Sequence, residues 1–197
     1  MSIATYVDLQ AAITNWLHRA DLSTFIPDFI SIAEARIGRE VKARQQEQRV
    51  TTTTTTTFAT LPSDFVNMRA IRIQASTIGW LDYITPDEFF NQFPSSVNSV
   101  SKKYTIFGDE LVFPAVPTGD IELWYYKKLA ALSTAVHALF TANPDLYLYG
   151  SLAAAQPFLK DDKRVALWEA QYVQVKDSVN DTHKAGRYPT NMAIRVA

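Results

Sequence analysis

The stretch Asn143–Asp162, NPDLYLYGSLAAAQPFLKDD, constrains the fold more than any other part of the chain. Between Asp145 and Lys160 it carries no charged side chain, and Leu146, Tyr147, Leu148, Tyr149, Leu152, Ala153, Ala154, Ala155, Phe158 and Leu159 leave no side of a helix clearly polar. A helix that is apolar all round has to be covered all round. It falls short of the roughly 20 apolar residues that span a bilayer, so the cover must be protein: other helices of the chain or neighbouring subunits. Gly150, Ser151 and the alanines 153–155 are small enough for close helix approach, and Pro157, which has no N–H to donate, predicts a bend or break near the end. The expectation is a central bundle helix, with Leu148, Tyr149, Leu152, Ala154 and Ala155 in the core or between subunits.

The cover is legible on both sides of it. Thr5 followed by Asp8 starts a helix over Tyr6–His18, with Leu9, Ile13, Trp16 and Leu17 on one face. After a polar break at Asp21–Thr24, Pro27 suits the first turn of a second helix. Ile26, Ile30, Ala33, Ile37 and Val41 form its stripe, Phe29 and Ile32 widen it, Glu40 and Arg44 form an i,i+4 pair on its outer face, and Gly38 suggests a close neighbour. Downstream, Asp161 or Asp162 can cap a helix in which Val165, Trp168, Tyr172, Val175 and Val179 recur at spacings of 3, 4, 3 and 4. That is a narrow stripe against one partner helix. It is expected to end near Asp181, leaving an extended tail from Gly186 to Ala197.

Between the helical parts the pattern changes to period two. The run Thr51–Thr57 favours extended backbone but cannot specify an inward face, which predicts an edge or weakly registered strand; a disordered linker is the alternative. Leu61–Phe65 reads as a turn into a strand over Met68–Gln74, with a further strand over Trp80–Ile84. Thr85-Pro86-Asp87-Glu88 marks a short helix through about Phe93, and Pro94–Ser101 reads as a loop. Gly108-Asp109-Glu110 joins a hairpin of Tyr104–Phe107 and Leu111–Phe113. In the strand Asp120–Lys128, Ile121, Leu123 and Tyr125 share one face and Glu122, Trp124 and Tyr126 the other. The fold class is therefore α+β: a helical bundle of about four main helices (1–44 and 131–185) with an inserted, mainly antiparallel β domain carrying one short helix (45–130) and an extended C-terminal tail (186–197).

Composition excludes several functions. A formal net charge of −1 with interspersed signs gives no global attraction to nucleic acid or anionic membrane. The absence of cysteine removes disulfides, thiolate metal sites and a cysteine nucleophile, and fits a reducing compartment. The N-terminus lacks the basic start and apolar run of a signal peptide, and no segment reads as transmembrane. His18, His137 and His183 lie in separate segments without metal-ligand spacing, and read as surface or helix-end residues. The adjacent carboxylates Asp161 and Asp162 could do acid/base or metal work, but at a helix start they cap free N–H groups. Neither a phosphate-binding glycine loop nor a nucleophile elbow is present.

Two basic features need weighing. Trp124-Tyr125-Tyr126-Lys127-Lys128 mixes stacking and cationic groups, yet strand alternation divides the aromatics between two faces, so packing is the expectation. Arg36, Arg39, Lys42, Arg44 and Arg49, against Glu40 and Glu47, form a mildly basic strip that could face DNA in a channel or be a solvated face. No catalytic, cofactor or metal site emerges.

The ordered set Tyr6-Val7-Asp8-Leu9-Gln10, Trp16-Leu17-His18-Arg19, Ile26-Pro27-Asp28-Phe29-Ile30, Ala33-Glu34-Ala35-Arg36-Ile37, Leu61-Pro62-Ser63-Asp64-Phe65 with Arg69, Asp82-Tyr83-Ile84-Thr85-Pro86, Tyr125-Tyr126 and Pro144 through Gly150 resembles the head-to-tail connector adaptor proteins of tailed bacteriophages, particularly the podophage type. The resemblance covers nearly the whole chain up to about Val179. It implies a non-enzymatic structural protein of the virion neck, made in the host cytoplasm, that forms a twelvefold ring of copies under the portal protein. Downstream tail or nozzle proteins would assemble on it, and double-stranded DNA would pass through without being read. In that setting the tail residues Tyr188, Pro189, Met192, Ile194 and Val196 would dock on the portal. Val165, Trp168, Tyr172, Val175 and Val179 would serve the core or subunit packing. Another neck component, such as a stopper or tail-completion protein, would need the same kind of ring-forming surface. A small-molecule-binding protein or hydrolase would need a convergent polar constellation, which is not visible.

Overall fold

The computed structural model describes residues 3–74, 79–95, 102–159 and 163–187. The chain divides into two compact units, one built from Met1–Gln46 with Leu129–Ala197 and one from Glu47–Lys128.

The first unit is helical. Helix α1 (Tyr6–Leu17) begins in a capping box: Asp8 N–H donates to Thr5 Oγ1 at 3.1 Å and Thr5 N–H to Asp8 Oδ2 at 3.0 Å, so two otherwise orphaned donors are satisfied. A 3-10 segment (Ala20–Phe25) leads into α2 (Ile26–Glu40), which buries Ile26, Phe29, Ile30, Ala33 and Ile37. Ile32 does not widen the stripe. It is 55% exposed, on the flank between Phe25 and Arg36. The expected Glu40–Arg44 pair is also absent, because α2 ends at Glu40 and Arg44 lies in a separate 3-10 turn; Glu40 pairs back to Arg36 at 3.0 Å instead. No atom comes within 4 Å of a Cβ built at Gly38, so the close neighbour expected there is not found.

Helix α4 (Ala138–Ala142) is followed at once by α5 (Pro144–Ala154), Asn143 ending one and opening the other. Helix α5 packs against α1, α2, α4 and α6 (Arg164–Arg187). Leu146, Tyr147, Leu148, Leu152 and Ala155 are buried, and the buried Ser151 hydroxyl is satisfied by the Tyr147 carbonyl at 2.7 Å. A fully buried leucine contributes about 1.5–3 kcal/mol, so this charge-free helix is a large part of the unit's apolar burial. Its end is set by Pro157, which sits in a 3-10 turn (Gln156–Phe158) after the helix closes. Helix α6 lays Val165, Trp168 and Tyr172 into the core, with Val175 and Val179 partly buried against it. It runs to Arg187, beyond the expected stop at Asp181, and so takes in the first two residues of the expected extended tail. The caps Asp161 and Asp162 fall outside the described residues, as does most of the loop 94–101.

The second unit is a two-sheet structure around one core. Strands β1 (Glu47–Thr52), β3 (Phe65–Ile73) and β7 (Ile121–Lys127) form an antiparallel sheet in the order β1-β7-β3. Strands β2 (Phe58–Thr60), β4 (Asp82–Tyr83), β5 (Lys103–Phe107) and β6 (Glu110–Val112) form the other, in the order β2-β6-β5-β4. Among the described residues the β4–β5 pair is parallel and the other strand pairs are antiparallel. Ile71, Ile73, Ile121, Leu123 and Tyr125 from the first sheet meet Ala59, Tyr104 and Leu111 from the second. The short helix α3 (Pro86–Gln92) is capped by Thr85, whose hydroxyl accepts from Glu88 N–H, and packs on β5.

Two expectations change here. The threonine run is strand only at Thr51 and Thr52, on an edge; beyond them the hydroxyls of Thr54 and Thr56 donate to the Phe58 carbonyl at 2.6 and 2.9 Å, turning the chain from one sheet to the other. The strand expected over Trp80–Ile84 shrinks to Asp82–Tyr83, with Trp80 held by an isolated bridge to Arg72. Gly119 has a role the sequence did not announce: a Cβ there would collide with the Gln74 carbonyl where β3 and β7 converge.

Gly150 and Gly38 make opposite predictions. A Cβ at Gly150 would lie 3.3 Å from both the Ala33 Cβ and the Tyr172 ring, so Gly150→Val is expected to destabilise the helical unit by about 1–3 kcal/mol or more through overpacking. Gly38→Ala, in open space, is expected to stabilise it by about 0.5–1 kcal/mol through helix propensity. Urea unfolding followed at 222 nm checks both signs.

Candidate functional site

Among the described residues the titratable groups do not converge on one centre. His18 ends α1 in the left-handed conformation (φ 52°), and His137 caps α4, its Nδ1 accepting from Phe140 N–H at 3.3 Å. His183 departs from the expected surface position: it is 5% exposed and lines an open cleft of about 260 Å³ with Ala43, Arg44, Asn143, Val179 and Thr182. Among the described residues no group of three or more His, Asp or Glu side chains could hold a metal ion, and no helix is long and apolar enough to cross a membrane. Burial pushes the Tyr104 and Tyr125 phenols up to about 12 and those of Tyr147 and Tyr172 higher still. These shifts move the groups away from the range in which a side chain exchanges protons near neutrality.

What the helical unit does build is a polar clasp between α2 and α6. Arg36 donates from both terminal nitrogens to Glu169, at 2.8 and 2.6 Å, and its guanidinium lies 4.2 Å from the centroid of the Tyr172 ring. The Tyr172 hydroxyl donates to Glu40 at 3.1 Å. About two turns further along α6, Asn180 accepts from Lys42 N–H at 2.9 Å and donates to the Glu40 carbonyl at 3.1 Å, satisfying backbone groups left over where α2 stops. A bidentate arginine stacked on an aromatic face fixes orientation as well as distance. Separately, the Glu34 carboxylate accepts from Leu132 N–H at 2.6 Å, and partial burial raises its pKa. The clasp was not anticipated from the sequence. By sequence Arg36 belongs to a basic strip, and Glu169 lies 133 positions away from it.

The β unit contains a second buried ionic arrangement. Glu122 on the central strand β7 is 0% exposed and pairs with Arg49 on one neighbouring strand and Arg72 on the other, while Trp124 Nε1 donates to it at 3.1 Å. Its desolvation opposes ionisation, but the hydrogen bonds of Arg72 and Trp124 and the two guanidinium charges prevail and hold its pKa below the usual carboxylate range. Two members of the basic strip, Arg36 and Arg49, are thus committed to carboxylates. The aromatic-basic cluster is dispersed as well. Trp124 meets Trp80 edge-on at 5.7 Å, Tyr125 donates to Asp64 at 2.8 Å, Tyr126 is buried, and Lys127 reaches Gln48 at 3.2 Å.

Among the residues assigned to packing, Leu148, Leu152, Ala155, Val165, Trp168 and Tyr172 are buried in the helical core, and Tyr149, Ala154, Val175 and Val179 pack against it partly buried. Tyr149 meets the half-exposed Trp16 edge-on at 5.8 Å. Tyr188, Pro189, Met192, Ile194 and Val196 lie outside the described residues.

The clasp makes a pH prediction. The Arg36 hydrogen bonds lower the Glu169 pKa from its ordinary value of 4.5, against a smaller desolvation effect and with help from the Arg36 and Lys176 charges. A depressed folded-state pKa gives stability that is present above the unfolded value and lost as pH falls through the folded one. The Glu169 side chain is 43% exposed, so the contribution is held to about 0.5–1 kcal/mol. Glu169→Gln should lower the helical unit's midpoint by about 2–4 °C at pH 7, and the gap to the parent should close below the ordinary carboxylate range. Thermal melts at the two pH values check this.

The sequence model of the SU10 adaptor protein family matches the chain over residues 4–195. None of the curated proteins compared with the chain matches it.

Proposed function

The chain belongs to the SU10 adaptor protein family, a family of phage head-to-tail adaptors, and on that footing we propose that it forms a ring of copies below the portal, joining the capsid to the tail and leaving a passage for DNA. The family match across almost the whole length carries this reading. Membership makes the chain a structural phage protein working with other head and tail proteins. The neck position, the twelvefold ring and the portal and nozzle contacts are the finer content of the proposal.

Physical features support it. A closed ring needs two different surfaces on each copy that fit one another, and the helical unit leaves Val7, Trp16, Phe25, Ile32, Phe158 and Leu167 substantially exposed. Side-by-side packing of copies would cover such residues. A net charge of −1 suits a passage that does not hold phosphate, since a strongly basic lumen would retain the genome electrostatically. The tail residues Tyr188, Pro189, Met192, Ile194 and Val196 supply apolar anchors for the portal, in a segment too short to make a core of its own.

Electron microscopy of purified particles should show a ring containing this chain between portal and tail; particles that lack the chain would refute the adaptor position. A truncation ending at His183 should lose portal binding, and binding as tight as that of the intact protein would refute the tail's role. Arg39→Gln with Lys42→Gln should leave the rate of genome ejection nearly unchanged, and a large delay would place that strip against DNA.

A further inference from the structure

The sheet β2-β6-β5-β4 has one face in the core of its unit and one face outward. Pairing registers put Phe58, Val112 and Thr105 in one row of the face turned away from the core, where Val112 and Thr105 are nonetheless buried and Phe58 is not, and the exposed Thr60, Glu110 and Phe107 in the next. The opposite face takes Ala59, Leu111, Tyr104 and Ile106 into the core. Helix α3 covers part of β5, and its Phe90 ring meets Phe107 edge-on at 6.2 Å. The cover is incomplete: Phe58 is 46% exposed, Phe90 47% and Phe107 63%. Three phenylalanines half in water around one small sheet face are unusual for a surface with no partner, and aromatic residues are the side chains that interfaces concentrate.

The charge beside Phe107 and Phe90 is acidic, and the one lysine on that face of β5, Lys103, is turned to Gln92 of α3 at 2.9 Å. Glu110 stands directly opposite Phe107 across the strand pair, Asp109 is in the turn between them, and Asp87 lies one helical turn before Phe90. All three carboxylates are exposed. From this geometry we infer that the outward face of this sheet docks a segment of a second virion protein, one that carries an apolar anchor flanked by lysine or arginine. Symmetric pairing of the same face between two copies is disfavoured, because a two-fold contact would set Asp87, Asp109 and Glu110 against their own counterparts. The inference rests on the virion role proposed above, and it goes beyond that role by naming the surface and the chemistry of what it holds.

The test uses the full-length chain in the phage that encodes it. With p-benzoylphenylalanine replacing Phe107, illumination of purified particles should cross-link the chain to a different virion protein. The linked peptide, mapped by mass spectrometry, should hold an apolar residue beside Lys or Arg. Cross-links only to other copies of this chain, or to a segment without basic residues, would overturn the inference. Phe107→Ser, and separately Asp109→Lys with Glu110→Lys, should each cut infectious titre at least tenfold, giving particles that keep this chain but are depleted of the linked protein. Unchanged titre and composition in both variants would overturn it as well while leaving the adaptor position standing. Absence of the parent chain from purified particles would instead sink the virion role, and this docking with it.

Discussion

The helical unit depends on how closely three helices approach at Gly150. Helix α5 has no polar face to give to water, so it is stable only if neighbours cover it from several directions. Ala33 on α2 and Tyr172 on α6 reach it at the one position that lacks a side chain, where even a methyl group would be tight. The small residue therefore does more than tolerate crowding: it sets the spacing at which α2 and α6 flank the central helix. The same spacing lets Arg36 reach across to Glu169 and stack on Tyr172. The ionic clasp is downstream of the apolar packing, since a partly exposed ion pair contributes little unless its partners are already placed.

The β unit solves a related problem in a different way. Strand β7 lies between β1 and β3 and is buried on both faces, so its outward row cannot be polar without partners. Glu122 in that row is paired from both sides by arginines on the two flanking strands. A buried carboxylate is costly alone and tolerable when fully engaged. Its pairing with strands on both sides also opposes a slip in register, because a one-residue shift would turn Arg49 or Arg72 to the other face.

Most of the fold was legible because its signals are local. The capping box at Thr5, Pro27 near the start of α2, the threonine cap before Pro86 and the Gly108 hairpin each depend on a few neighbouring residues, and each is present in the structure. Errors arose where local pattern and tertiary context part. Ile32 fits an apolar stripe by spacing but lies on its exposed flank, and the threonine run favours strand at every position yet pairs with a strand only at Thr51 and Thr52, with Thr57 bonded to Phe113 beside the second sheet. The polar features were the least legible. Neither the Arg36–Glu169 pair nor the Arg49–Glu122–Arg72 arrangement has a sequence spacing that betrays it, because each joins elements far apart in the chain. Alternation placed Glu122 on a face with Trp124 and Tyr126, and that apolar company is the one available hint that the face is covered.

The order of contacts along the clasp has a mechanical consequence. Arg36 meets Glu169, Glu40 meets Tyr172, and Lys42 meets Asn180, so positions rise together on both helices and α2 and α6 run parallel. A pull along their common axis would load these bonds in shear, all sharing the force. Peeling one helix sideways would break them one after another at a much lower load. The pair thus acts as a strut, stiff along its length and weak across it, and a stress applied to α6 along that axis passes to the end of α2 through Asn180.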